Sequence, residues 1–266
     1  MSVVAGCWRD AGRLGHGVAH RDVVGRGAGV AAAVGDEDRD VVGRTGHAAK
    51  VRSEPMADNV PNPDVGVGPH SEPWPEDPRL DPELLAEGDR RNVVDRFRYW
   101  SVEAIVADLD RTRHEFHVAI ENWRHDLNIG TVVRNANAFN VAAVHIVGRR
   151  RWNRRGAMVT DRYVHVEHHD TIDGLLERSR ADGLTVVGID NLGDGGPSSS
   201  VPLDSTPLPR RCVLLFGQEG TGLSDEAVAG CDEVREIPMF GSTRSINAGV
   251  ASGIAMHTWI RTHTSG

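Results

Sequence analysis

EFHVAIENWRHDLNIGTVVRNANAFNVAAVHIVG, residues 115–148, decides the fold class. Its opening, EFHVAIE (115–121), has the apolar content and length of a strand, and so does AAVHIVG (142–148). Between them, over 128–140, Ile129, Val132, Val133, Ala136 and Phe139 fall on one helical stripe. Strand, helix and strand with short joins is the repeating unit of a mainly parallel sheet.

The alternation continues towards the C-terminus. IDGLLERSRADG (172–183) reads as a helix that stops at Gly183, and LTVVGID (184–190) as a strand. RCVLLFG (211–217) is another strand, DEAVAG (225–230) a short helix and VREIPM (234–239) a short strand. A final helix is expected from Ser245 to about Arg261. In the other direction, residues 91–112 read as helical, with Ser101 as N-cap before VEAIVADL. Earlier still, residues 1–55 are rich in Gly, Val, Ala, Arg and Asp without sustained periodicity. Residues 55–82 carry Pro55, Pro61, Pro63, Pro69, Pro73, Pro75, Pro78 and Pro82. Proline at that density excludes a helix and a central strand. The expected organisation is a disordered extension over 1–88, a helical lead-in over 89–114 and an α/β domain over 115–266. Met56 stands directly before the acidic, proline-rich stretch, which leaves open two readings: translation begins there, or residues 1–55 are part of the protein. A native peptide from within 1–55 would refute that start.

Composition removes several chemistries. The formal net charge is −8, so nucleic-acid binding has to rest on a local patch. Lys50 is the single lysine, which leaves no lysine in the α/β domain for a Schiff base or a P-loop. Cys7, Cys212 and Cys231 are few and far apart, and imply a reducing compartment without a disulfide framework or a zinc site. No apolar run approaches the ~18–20 residues of a membrane span. A soluble, cytoplasmic protein is the expectation.

Three motifs carry the chemistry. The first is Asn128-Ile-Gly-Thr-Val-Val-Arg134 at a strand-to-helix turn. Ordinary capping by Asn128 would explain part of it, but Arg134 falls off the apolar stripe and is free to face a site. The second is Gly217-Gln-Glu219-Gly220-Thr-Gly222-Leu-Ser224, a glycine-rich turn between a buried strand and a helix start. Ligands bind at the carboxyl ends of strands in open α/β sheets, where glycine lets backbone approach them. Its spacing is neither GxGxxG nor a P-loop, and Glu219 sets it apart from a plain tight connection. The third is Ile237-Pro-Met-Phe-Gly241-Ser-Thr-Arg-Ser245-Ile246-Asn247, leading into a helix dense in Ala248, Gly249, Ala251, Ser252, Gly253 and Ala255. Glycine costs a helix interior about 1 kcal/mol relative to alanine, so two of them imply close approach by another backbone, a subunit or a cofactor. A tight helix–helix contact alone would also account for them.

In this order and spacing the three resemble the signature of the TrmH/SpoU group of SPOUT methyltransferases, across roughly residues 115–262. That signature runs N-x-G-x-x-x-R, then a GxEGxG-like loop, then IPMxGxxxSLNVSxA. Here Leu-Asn-Val-Ser is replaced by Ile246-Asn247-Ala248-Gly249, which keeps the apolar contact and loses the second serine. The resemblance implies a mainly parallel, trefoil-knotted sheet flanked by helices. It implies a homodimer, S-adenosylmethionine as cofactor, and 2′-O-methylation of a ribose in tRNA or rRNA. The implied catalytic set is Asn128, Arg134, Glu219, Ser245 and Asn247, and the implied cofactor contacts are Gly217, Ile237 and Ile246. Asp190 and Asn191 are weaker candidates for lining the cofactor pocket. No metal is required. Within the family the Arg134 equivalent is proposed to help deprotonate the ribose hydroxyl. Arginine ordinarily keeps its proton, so binding the neighbouring phosphate and stabilising a developing alkoxide is the equal alternative.

For RNA contact the candidates are Arg149, Arg150, Arg151, Trp152, Arg154 and Arg155, five arginines around one indole directly after a strand. Such a cluster neutralises phosphates and stacks on a base, although charge runs are commonly just solvated. His165, His168 and His169 are read as ordinary polar positions on an extended segment. Three rival functions fit less well. An RNA-binding module without catalysis leaves Arg134, Glu219, Ser245 and Asn247 unexplained. A base-nitrogen methyltransferase is disfavoured by the third motif, through the resemblance alone. A generic nucleotide-binding α/β protein lacks its phosphate loop.

Overall fold

The computed structural model describes residues 66–123, 128–192 and 200–264. Among them, apolar and β-branched runs form seven strands: β1 (His117–Asn122), β2 (Val144–Gly148), β3 (Val166–His169), β4 (Thr185–Ile189), β5 (Val201–Pro202), β6 (Cys212–Phe216) and β7 (Glu233–Glu236). All pair in parallel in one sheet of order β3-β2-β1-β6-β4-β7-β5. The late strand β6 thus enters the centre, where Leu214 pairs with Val118 of β1 and Val187 of β4. All five of its residues are buried, as the uninterrupted apolar run Cys-Val-Leu-Leu-Phe requires.

The helices are α1 (Pro82–Glu87), α2 (Val102–Leu109), α3 (Ile129–Ala138), α4 (Ile172–Ala181), α5 (Asp225–Gly230) and α6 (Ala248–Thr264). Alternation along the strands separates two cores. Val118, Ile120, Ile146, Leu214 and Phe216 pack against α3 and the Ala255–Met256–Trp259 stripe of α6. Ala119, Val147, Val213 and Leu215 face the other way, onto Leu175 and Leu176 of α4 and Ala227 of α5. The result is three layers, with the sheet between α3/α6 and α4/α5.

The α/β reading of the sequence holds, with local corrections. The final helix starts at Ala248 instead of Ser245, because Asn247 is its cap: Asn247 Oδ1 accepts from the N–H groups of Gly249 (2.9 Å) and Val250 (3.3 Å). The helix expected over 91–112 is a 3-10 turn at Asp95–Phe97 followed by α2. Tyr99 at φ 64 breaks the path between them, and Ser101 caps α2 as expected, accepting from Ala104 N at 3.1 Å. Strands β3 and β5 carry no apolar alternation and escape a pattern search.

The boundary at 88 also moves. Residues 1–65 of the expected extension lie outside the described residues, but 66–88 hold defined structure. Asp81 caps α1, Leu85 is buried, and Val67 and Asp89 exchange backbone hydrogen bonds of 2.9 Å. The buried Asp89 carboxylate organises the turn that follows it. It accepts from Arg91 Nε (2.9 Å) and Nη2 (2.7 Å) and from Tyr99 N (3.0 Å). Burial pushes that carboxyl up, but the Arg91 and Tyr99 donors outweigh it and hold its pKa below the ordinary value. Proline density excludes long regular elements; it does not exclude a loop pinned by backbone hydrogen bonds, such as Asp81 N to the Tyr99 carbonyl and Ser101 N to the Arg79 carbonyl.

Candidate functional site

The loops that leave the carboxyl ends of β4, β6 and β7 enclose a cleft of about 1100 Å³. This is where ligands bind in open α/β sheets. Its lining takes in Asp190 and Asn191 after β4, Gly217 to Leu223 after β6, and Ile237 and Met239 after β7. Arg244 to Ala248 complete it before α6. Gly217, Glu219, Ile237, Ser245, Ile246 and Asn247 therefore all line one cavity.

The loop after β6 is closed on itself. Gln218 and Gly222 exchange two backbone hydrogen bonds of 3.0 Å each. A Cβ on Gly217 would stand 2.0 Å from the carbonyl carbon of Gly222, so glycine there serves the loop's own closure before any ligand. Asp190 braces the turn from β4. Its Oδ2 accepts from Leu223 N (2.7 Å) and its Oδ1 from Asn191 N (2.7 Å). Asn191 Nδ2 in turn donates to the Arg244 carbonyl at 3.3 Å, joining the second and third loops.

One hydrogen-bonded chain joins all three motifs. Asn128 Nδ2 donates to Glu219 Oε2 at 2.6 Å, and Asn247 Nδ2 donates to Asn128 Oδ1 at 2.8 Å. Asn247 Oδ1 then holds the first turn of α6. Asn128 makes no side-chain cap to α3, which sets aside simple capping as its purpose. Arg134 stands exposed on α3, and no hydrogen bond or ion pair engages it among the described residues. The neighbouring Asn135, which continues the first motif but to which the sequence assigns no role, fastens α3 to α6. Its Nδ2 donates to Gly249 O (2.8 Å) and Ser252 Oγ (3.0 Å).

The arginine segment lies elsewhere on α3. Gly156, in the 3-10 turn Arg154–Ala157, abuts Gly130 so closely that a Cβ on Gly130 would be 2.8 Å from Gly156 Cα. Asn122 Nδ2 clamps the start of the segment through the carbonyls of Arg149 (2.6 Å) and Arg151 (3.0 Å). Arg149, Arg150, Arg151, Arg154 and Arg155 are exposed. Arg154 is engaged by Asp161 at 3.3 Å and lies 5.5 Å from the centre of the Trp152 ring. Trp152 itself is half-buried against the α3 core, so its ring is not the open platform the sequence implied.

Of the three histidines read as ordinary polar positions, His165 bonds Asp110 (2.8 Å) and His168 bonds the Gly148 carbonyl (2.6 Å). His169 instead closes a row of rings across β1, β2 and β3. His117 Nδ1 lies 2.8 Å from His145 Nε2, and His145 Nδ1 lies 2.9 Å from His169 Nε2. Burial first, and the neighbouring His117 second, push the His145 pKa down to about 3.

A family model described as the SpoU rRNA Methylase family matches residues 115–257. The tRNA (guanosine(18)-2'-O)-methyltransferase of Escherichia coli (strain K12) is 29% identical over 152 residues, or 56% of this chain and 64% of that one. An uncharacterized tRNA/rRNA methyltransferase of Mycobacterium avium (strain 104) is 36% identical over 147 residues, or 52% of this chain and 45% of that one. The chain thus spans less than two thirds of the length of these curated relatives. A solved structure described as giving insights into "the 2-OH methylation of C/U34 on tRNA" superposes with a TM-score of 0.50 at 26% identity. It covers 57% of this chain and 99% of that one.

Asn247 does two jobs that substitution separates. Asn247→Ala removes the α6 cap and is expected to destabilise the protein by about 1 kcal/mol. Asn247→Ser keeps an oxygen that can cap α6 and, like Asn247→Ala, loses the donor to Asn128, so it is expected to lose less stability than Asn247→Ala by about the value of the cap. Urea unfolding of both variants checks this, and equal losses would mean that the cap is not the Asn247 carboxamide.

Proposed function

The chain belongs to the SpoU rRNA methylase family, and on that premise we propose that it methylates a ribose 2′-hydroxyl of tRNA or rRNA with S-adenosylmethionine. The observation that carries this is the Glu219–Asn128–Asn247 chain at the cleft, with Arg134, whose guanidinium is engaged by none of the described residues, on the same helix that Asn128 begins. The cleft fits the cofactor's chemistry. Apolar Leu192, Ile237, Met239 and Ile246 offer a wall for a heterocycle, and the carboxylates of Asp190, Glu219 and Asp225 line the same cavity and suit a cation. When bound, S-adenosylmethionine supplies an electrophilic methyl group on a positively charged sulfur. Gly217, Ile237 and Ile246 are the residues assigned to hold it.

The remaining residues work on the RNA. Arg134 stands in solvent, where a guanidinium acts as a cationic hydrogen-bond fork. That favours the electrostatic role over the base: Arg134 binds the phosphate beside the target ribose and stabilises negative charge as the hydroxyl oxygen loses its proton. Asn128, Glu219 and Asn247 fix the ends of α3 and α6 around it, and Ser245 presents its hydroxyl to the substrate from the cleft wall. Arg149, Arg150, Arg151 and Arg155 contact the RNA backbone further out, with Arg154 shared with Asp161. With tRNA or rRNA as substrate, we assign the protein to the cytoplasm. Among the described residues no helix is long and apolar enough to cross a membrane.

A homodimer completes the reading. Val250 (55% exposed) and Ile254 (38%) sit one turn apart on α6, and Phe240 (97%) projects from the loop before it. An apolar strip beside the site is best covered by a second copy. Val250→Glu with Ile254→Glu is expected to give a monomer by light scattering while wild type is a dimer; a monomeric wild type refutes the assignment.

Arg134→Ala is expected to slow methyl transfer about 10²–10³-fold, the cost of losing a charge-stabilising donor, with cofactor affinity unchanged. Arg134→Lys is also expected to fail, since lysine lacks the planar fork. Calorimetry with the cofactor and single-turnover transfer to unmodified RNA separate binding from chemistry; near-wild-type transfer by Arg134→Ala would overturn the assignment. Replacing Arg149, Arg150, Arg151 and Arg155 with alanine is expected to weaken RNA binding. Each phosphate left without its arginine should reduce the slope of log affinity against log salt by about 0.7–0.9. An unchanged affinity and slope would make the segment a solvated surface.

A further inference from the structure

β3 is the edge strand of the sheet, and it carries two potential ligands where a hydrophobic pattern would carry none. Glu167 and His169 are two apart, so the period-two pleat puts them on one face. Glu167 pairs directly with His145 of β2, and His169 pairs with Val147, which leaves His145 and His169 as diagonal neighbours on that face. The three ligand atoms all come within 4.8 Å of one another. His145 Nδ1 is 2.9 Å from His169 Nε2 and 3.8 Å from Glu167 Oε2. Two ligands of one tetrahedral zinc ion, each about 2.0–2.1 Å from it, stand about 3.4 Å apart, so the observed separations bracket that value.

We propose that His145, Glu167 and His169 bind one divalent transition-metal ion of the zinc type, which clamps edge strand β3 to β2 at the root of the arginine segment. The surroundings are built for it. Ligating imidazoles characteristically hold a partner on their second nitrogen, and His145 Nε2 meets His117 Nδ1 at 2.8 Å, which aims Nδ1 at the site. Arg178 of α4 donates to both Glu167 oxygens (3.1 and 3.4 Å) and orients the carboxylate while leaving each oxygen a further lone pair. Two imidazoles and one carboxylate are the donor set of three-ligand zinc sites, with the fourth position open to water. His145 is buried, whereas Glu167 and His169 are half-buried, so an ion has a way in. The clamp joins the two strands that flank residues 149–165.

The competing arrangement is a metal-free row of three imidazoles passing hydrogen bonds in one direction. Full-length protein stripped with chelator and titrated with Zn²⁺ separates the two. The expected result is uptake of one equivalent by calorimetry and a rise in Tm that EDTA reverses. With Co²⁺ in place of Zn²⁺, visible absorption of a four-coordinate site is expected. His169→Ala and Glu167→Gln, both at the sheet edge, should each weaken uptake at least tenfold with an unchanged circular dichroism spectrum. His165→Ala, outside the tripod, should bind as wild type does. The proposal fails if wild type shows no saturable uptake. It also fails if His169→Ala and Glu167→Gln bind Zn²⁺ as tightly as wild type, since the ion would then sit on other side chains.

Discussion

Gly249 packs against Thr131 with no room for a side chain: a Cβ there would lie 2.7 Å from Thr131 Cγ2. That approach sets how close the start of α6 comes to the first turns of α3, and the site is assembled around it. Only at that distance does Asn135 reach both Gly249 O and Ser252 Oγ, and Asn247 reach Asn128. The residues joined are more than a hundred positions apart, yet the link runs through ordinary hydrogen bonds because glycine has removed the steric distance. The helix-propensity cost of glycine in α6 is therefore offset by polar contacts between helices as well as by the apolar burial of Ala255, Met256 and Trp259 further along.

Much of this was legible in the chain. The apolar run at 212–216 and the helical stripe over 129–139 specify a parallel α/β sheet with little ambiguity, since nothing else buries both faces of such strands. The three motifs were legible as motifs because asparagine, glutamate and glycine stand where a plain strand–helix connection has no need of them. Their mutual contacts were not. Asn128 is as good an N-cap as any residue in isolation, and only the position of Glu219 shows that its amide is committed elsewhere. Gly217 likewise reads as a ligand-facing glycine, and only the position of Gly222 shows that the loop's own closure requires glycine there too.

What escaped the sequence has a common physical cause. β3 and the segment 66–88 are held by polar and backbone interactions that leave no periodic apolar trace. β3 gains its place by pairing with β2 at an edge where its outer residues remain half-exposed, so alternation is not selected. The 66–88 segment is held by backbone hydrogen bonds, Val67 with Asp89 and Asp81 N to the Tyr99 carbonyl among them, and by Tyr99 Oη donating to the Gly68 carbonyl. Trp152 escaped in the opposite sense. Its composition marks it as an RNA-stacking residue, whereas packing against the α3 core uses most of its surface.

The arginine segment and the site are not independent features. Gly130 and Gly156 meet backbone to backbone, and Asn122 holds two carbonyls at the start of the segment, so residues 149–157 are docked on the helix that carries Arg134. A flexible basic tail would add affinity for RNA without constraining where the RNA goes. On the proposed function, a basic segment fixed to α3 would also set the register of the phosphate backbone relative to Arg134. On the proposed function this separates two kinds of damage: removing the arginines weakens the encounter, whereas loosening the Gly130–Gly156 junction leaves the charges in place and misplaces the ribose. Misplacement of about 1 Å is enough to cost on the order of 10²-fold in rate. On that reading the backbone junction between two glycines matters to the reaction as the arginines do, because it fixes where their charges stand on the helix that carries Arg134.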